Sequence, residues 1–122
     1  MDMPVVVSLP TEIDFTNAEQ VCDQICAAFQ PGIAVVVADL TATTFCDTAG
    51  VRHLLLADER ARASQVELRF AVSSAGSVQR VLGLTGVDRV LAVYRTLDAA
   101  ILGRRPPDPL GTQEIAAGEP PT

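Results

Sequence analysis

The chain has 122 residues, with 15 acidic and 9 basic side chains, a formal net charge of −6 and 48% apolar residues. That length points to one domain. The acidic balance argues against nucleic acid and against an anionic membrane surface as partners, because both reward a basic patch. All the basic residues are Arg, which excludes Schiff-base and P-loop lysine chemistry; the single histidine, His53, excludes a multi-histidine metal site. No run of about 18 apolar residues occurs, so a membrane-spanning helix is not expected. Met1-Asp2-Met3-Pro4 carries no basic segment of the kind that opens a signal peptide. Cys22, Cys26 and Cys46 are odd in number and lack C-x-x-C spacing. They read as reduced, small apolar packing residues of a cytoplasmic protein.

In chain order, Val5-Val6-Val7-Ser8-Leu9 is short and β-branched, a predicted strand. Thr16-Asn17-Ala18-Glu19 has the T-x-x-E pattern of a capping box. Val21, Cys22, Ile25 and Phe29 follow at helical spacing, and Pro31-Gly32 stops the helix. Ile33 to Ala38 is continuously apolar, as in a strand covered on both faces. A loop is expected over 39–48, then a helix from near Ala49 to near Ser64. Val51, Leu54, Leu55 and Ala61 form its inner stripe, while Arg52, His53, Leu56, Glu59 and Arg60 point elsewhere. Asp58 falls close to the stripe, with Arg62 one turn on as its partner.

Val66 to Val72 alternates as a strand does. Ser73 and Ser74 precede a third helix with Val78, Val81 and Leu82 inward, and Gly86 stands where a left-handed C-cap is needed. Leu91-Ala92-Val93 reads as a short strand, and Thr96 as the cap of a last helix over 97–102. The order β α β α β α β α implies an α/β fold, a mainly parallel mixed sheet of about four strands with helices packed against it. From Gly103 to Thr122 the chain holds five of its eight prolines and no apolar period. The domain is therefore placed at 4–102 and a disordered tail at 103–122.

Loops at the carboxyl ends of parallel strands are the usual place for function. The loop over 39–48 holds Phe45-Cys46-Asp47-Thr48 and opens on Ala49-Gly50. A phosphate on Thr48 would gain from the open amides and the positive dipole end of the helix. It would also add about −1.5 to −2 charges beside Asp47 and Asp39. Such a group changes binding without refolding the domain. The structural alternative is that Asp47 or Thr48 is only the N-cap and that Gly50 merely permits close packing. The loop has no Lys and no G-x-G-x-x-G, so a nucleotide cradle is not expected.

The run VVVADLTATTFCDTAGVRHLLLADERARA, with Leu82-Gly83-Leu84-Thr85-Gly86-Val87-Asp88-Arg89-Val90 and Leu97-Asp98-Ala99-Ala100, resembles the STAS domain of anti-sigma-factor antagonists. The resemblance spans about residues 5–102. It matches the family's Asp to Asp47, its phosphoacceptor hydroxyl to Thr48 and its Gly to Gly50. The acceptor is Thr rather than the commoner Ser, and Ala49 replaces a second hydroxyl. Family members often begin with an edge strand before the one at Val5, for which this chain has little room.

The resemblance implies partner switching. The unmodified protein binds a GHKL-type serine/threonine kinase that is also the anti-sigma factor, and the sigma factor is released. Phosphorylation of Thr48 ends the complex, and a phosphatase restores it. The implied partner face comprises Asp39, Asp47, Ala49, Gly50, Arg52, His53 and Leu56. No enzymatic activity, metal or cofactor is expected, nor a nucleic-acid or membrane partner, and the free protein is expected to be a monomer. The alternative is a STAS-like accessory subunit of a transport or signalling assembly, with Thr48 only a helix cap.

Overall fold

The computed structural model describes residues 3–74 and 76–104 of the chain. The proline-rich segment expected to be a disordered tail lies outside them from residue 105 onward. Six strands and four helices follow in order: β1 Val5–Ser8, β2 Glu12–Ile13, α1 Ala18–Cys26, β3 Val35–Leu40, β4 Phe45–Cys46, α2 Thr48–Ala63, β5 Glu67–Val72, α3 Ser77–Thr85, β6 Ala92–Tyr94 and α4 Leu97–Leu102. A 3-10 turn, Val87–Arg89, links α3 to β6.

The main sheet has the order β1-β3-β5-β6, and all its pairings are parallel. Parallel neighbours need crossovers, and α1, α2 and α3 supply them. Side chains alternate across a strand. Val36, Ala38 and Leu40 of β3 and Leu68, Phe70 and Val72 of β5 therefore meet α1, α2 and α3 on one face. Val37 and Ala71 face the other way, where Tyr94 and Ala100 complete a smaller cluster under α4. The apolar run in β3 is explained by this double cover.

Several elements differ from the sequence-based expectation. The capping box does not form, because Asp14 competes for Thr16. The Asp14 carboxylate accepts from both the amide and the hydroxyl of Thr16. Those two bonds, the hydroxyl's foremost, hold the Asp14 carboxyl below its ordinary pKa. The N-cap of α1 is Asn17, whose side chain turns back to accept from the Asp14 amide at 2.9 Å instead of capping the helix. Helix α1 ends at Cys26, so Phe29 lies in the turn beyond it.

Strand β3 is shifted two residues along and contains Asp39 and Leu40. In α2 the fully buried Ala57 joins the inner stripe, while Leu55 is only half-buried. Helix α3 starts at Ser77 with Gly76 as N-cap, so Ser73 and Ser74 precede it as expected. Gly86 does close α3 in the left-handed region, at φ 77°, and Thr96 caps α4 by accepting from the Ala99 amide at 3.0 Å.

Candidate functional site

The segment between β3 and α2 is anchored over most of its length. At its start, Asp39 accepts from the Thr41 amide and hydroxyl at 2.9 and 2.6 Å, which turns the chain as it leaves the sheet. The Leu9 amide donates to the Asp39 carbonyl at 3.0 Å. Thr43 is buried, and its hydroxyl donates to the Pro10 carbonyl at 2.8 Å. Strand β4 pairs in parallel with β2, Phe45 opposite Glu12 and Cys46 opposite Ile13. The Ser77 hydroxyl, at the start of α3, donates to the Thr44 carbonyl and ties the segment on its other side.

Helix α2 opens where this platform ends. Asp47 is the N-cap, in extended backbone geometry, and its carboxylate accepts from the Gly50 amide at 2.9 Å. Its carbonyl accepts from the Val51 amide at 3.0 Å. The Val51 bond is the first of the helix's own ladder; of the four open donors of the first turn, the Gly50 amide is met by the Asp47 carboxylate and the Asp47 amide by the Ile13 carbonyl at 3.1 Å. Thr48 is thus the first helical residue and not the cap, which corrects the alternative that gave it a capping role. Thr48 is exposed, and its hydroxyl makes no hydrogen bond among the described residues.

Gly50 is buried against β2 and β4. A Cβ there would stand 2.6 Å from Cys46 Sγ, 2.9 Å from Ile13 Cγ2 and 3.1 Å from the Ile13 carbonyl oxygen. Only a residue without a side chain lets α2 begin this close to the small sheet. This is the close packing that the sequence allowed for Gly50: the residue lies underneath and sets where Thr48 stands. Cys46 beside it is buried, and that burial, with Asp47 adjacent, pushes its thiol up to about 11.

The remaining sequence-derived residues are distributed unevenly. Asp47 and Ala49 are half-buried at the helix start, and Arg52 is exposed one turn beyond Thr48. His53 is half-buried, and its Nδ1–H donates to the Ala49 carbonyl at 2.9 Å. That bond leaves Nε2 as the acceptor of the neutral ring. Asp39 belongs to β3, where its carboxylate is committed to Thr41. Leu56 was expected to point away from the interior. It is half-buried and packs on the main core, because α2 contacts α1 as well as the sheet.

Two exposed aromatics escaped the sequence reading. Phe45 in β4 is 50% exposed, and Phe15, just beyond β2, is 79% exposed. Both lie in or beside the two paired strands that lead up to Asp47. The only sequence signal was an aromatic within a polar run, which has no periodicity to betray it. Among the described residues no group of three or more His, Cys, Asp or Glu side chains could hold a metal ion. No described helix is long and apolar enough to cross a membrane.

Fold and site together define a small α/β domain that presents a capped helix start at the carboxyl ends of its strands. The chain belongs to the STAS domain family, whose model matches residues 2–100. Among solved structures it is similar to an anti-sigma factor antagonist from Mycobacterium paratuberculosis. That pair has 28% identity and a TM-score of 0.69, over 80% of this chain and 82% of that one. It is also similar to a putative anti-sigma factor antagonist from Thermotoga maritima, at 19% identity and TM-score 0.67 over 84% and 92% of the two chains. A sulfate transporter family protein from Wolinella succinogenes matches at TM-score 0.69 over 81% and 82% of the chains; its 14% identity carries the fold alone. No curated protein matches the chain in sequence.

Proposed function

We propose that this domain is an anti-sigma-factor antagonist: a binding module that engages an anti-sigma factor with serine/threonine kinase activity and is switched off by phosphorylation of Thr48. The observation that carries the reading is the state of Thr48. It is exposed, its hydroxyl is uncommitted, and it directly follows a capping Asp47. An acceptor hydroxyl must be free to enter a kinase site, and this one is held out by a neighbour that has taken over the structural work.

The consequences of a phosphate follow from the same geometry. The amides of Thr48 and Ala49 have no acceptor among the described residues, and they lie at the positive end of a 16-residue helix. A phosphate there is favoured locally. Toward a partner it adds about −1.5 to −2 charges next to Asp47. The partner face then comprises Asp47, Thr48, Ala49, Arg52 and His53, widened by Phe15 and Phe45. Phenylalanine is enriched in interfaces relative to the rest of a protein surface. The solved anti-sigma factor antagonist that is 28% identical supports an anti-sigma factor as the partner.

The test is to incubate the protein with its cognate GHKL-type kinase and ATP and to map the phosphopeptide. Label on Thr48 that disappears in Thr48→Ala supports the proposal. A kinase that is active on another substrate yet leaves Thr48 unlabelled contradicts it. Reversal requires a phosphatase specific for phosphothreonine, whose action on the labelled protein is read in the same assay.

A further inference from the structure

At the far end of α2 from Thr48, two thiols and a guanidinium converge. Cys22 and Cys26 lie one turn apart on α1, with their Sγ atoms 4.0 Å from each other. Arg60 Nη1, from the last turn of α2, is 3.7 Å from Cys22 Sγ and 3.9 Å from Cys26 Sγ. The same nitrogen is 3.7 Å from Asp23 Oδ1. We propose that Cys26 and Cys22 form a peroxide-reactive thiol pair, in which Cys26 is oxidised first and Cys22 closes a disulfide onto it.

Exposure sets the order. Cys26 is half-buried, whereas Cys22 is 1% exposed. A peroxide therefore reaches Cys26. Burial, with the neighbouring Cys26 next in effect, pushes the Cys22 thiol up to about 11, so Cys22 waits as the protonated resolving group. The Arg60 guanidinium stands 3.9 Å from Cys26 Sγ, within reach of negative charge that develops on the sulfur as it reacts. Redox-sensitive thiols are characteristically accessible and set next to a resolving cysteine.

The chemistry balances without any further reactant. The Cys26 thiolate attacks one oxygen of a hydroperoxide, and the O–O bond breaks. Hydroxide or alkoxide leaves and takes up the proton that Cys26 released. Cys26 is now a sulfenic acid, oxidised by two electrons. Cys22 Sγ attacks that sulfur, the S–S bond forms and the S–O bond breaks. The departing hydroxide takes the Cys22 proton and leaves as water.

Backbone geometry adds a consequence. Residues four apart on a helix have Cα atoms about 6 Å apart, inside the range that disulfides span, but Cβ atoms about 5–6 Å apart, beyond it. Closure must therefore tighten the end of α1. Cys26 is the last helical residue; Ala27 still holds the helical bond to the Asp23 carbonyl at 2.9 Å, and the turn tightens at Ala28, whose amide donates to the Ile25 carbonyl at 3.1 Å.

The experiment exposes the full folded chain to hydrogen peroxide, blocks remaining thiols and measures intact mass and linked peptides. The proposal predicts a loss of about 2 Da, reversed by dithiothreitol, with a Cys22–Cys26 link and Cys46 still alkylated. Cys22→Ser should stop at a sulfenic acid on Cys26 that dimedone traps. Arg60→Gln should slow the oxidation of Cys26 several-fold. The wild-type link needs no variant, so it stands even if Cys22→Ser folds poorly. A disulfide-linked dimer, or three thiols that oxidise independently or not at all, would overturn the proposal.

Discussion

Asp47 and Gly50 do different work within one turn of helix. Asp47 satisfies the Gly50 amide, and an N-cap of this kind is worth about 0.5–2 kcal/mol against Ala. Asn caps about as well as Asp but has no charge. Asp47→Ala should therefore lower the unfolding free energy by about 1 kcal/mol, while Asp47→Asn should lie within about 0.5 kcal/mol of wild type. Urea denaturation of both variants checks the pair, and equal losses would show that charge rather than capping matters. Gly50 is a steric matter. An added methyl meets Cys46 Sγ at 2.6 Å and the Ile13 backbone at 3.1 Å, and backbone is slow to yield. Gly50→Ala should cost about 1–3 kcal/mol by overpacking, read in the same denaturation experiment. It should also move the start of α2, seen as amide shifts at 47–51 in a nitrogen–proton spectrum.

At the scale of elements, α2 is the organising piece, and its charges respond to pH. Asp58 is buried on its inner side and paired with Arg62 at 3.0 Å. Burial outweighs the Arg62 guanidinium and raises the Asp58 pKa above its ordinary value. The folded state therefore binds the Asp58 proton more tightly than the unfolded chain does. The stabilising contribution is complete below the unfolded value of about 3.9 and is lost as pH rises through the raised folded value. Asp58→Asn carries no such dependence. The stability of Asp58→Asn minus that of wild type should become more positive between pH 3.5 and pH 7, as followed by urea midpoints. A difference that does not change with pH would contradict this.

The long elements were legible because their periods are long enough to read. The sixteen residues of α2, the double-covered β3 and the Gly86 and Thr96 caps all stand in the pattern of residues. Strands β2 and β4 were not legible. Two residues carry no period, and their pairing joins positions about thirty apart by long-range contacts alone. The same platform explains why the site was only half visible. The motif gave Asp47, Thr48 and Gly50, but the burial of Gly50 and the exposure of Phe15 and Phe45 depend on β2 lying beside β4. The failed capping box shows the complementary error, since Asp14 took the Thr16 hydroxyl that the local pattern had assigned to α1.

For the whole molecule, Thr48 is held on a scaffold fixed from three directions: the chain at 9–13, the β3 turn and the start of α3. With these ties among the described residues, the proposal expects a charge added at Thr48 to act at the surface rather than on the fold. Thr48→Glu should unfold at a urea midpoint close to that of wild type while binding the kinase partner more weakly. A large drop in the midpoint would mean that the site is structural after all. The most direct measurement is calorimetric titration of the anti-sigma kinase into the domain carrying phosphothreonine at position 48, beside the unmodified domain. The account predicts a loss of affinity of about 100-fold or more from like-charge apposition and blocked contact. Equal affinity of the two forms would contradict it.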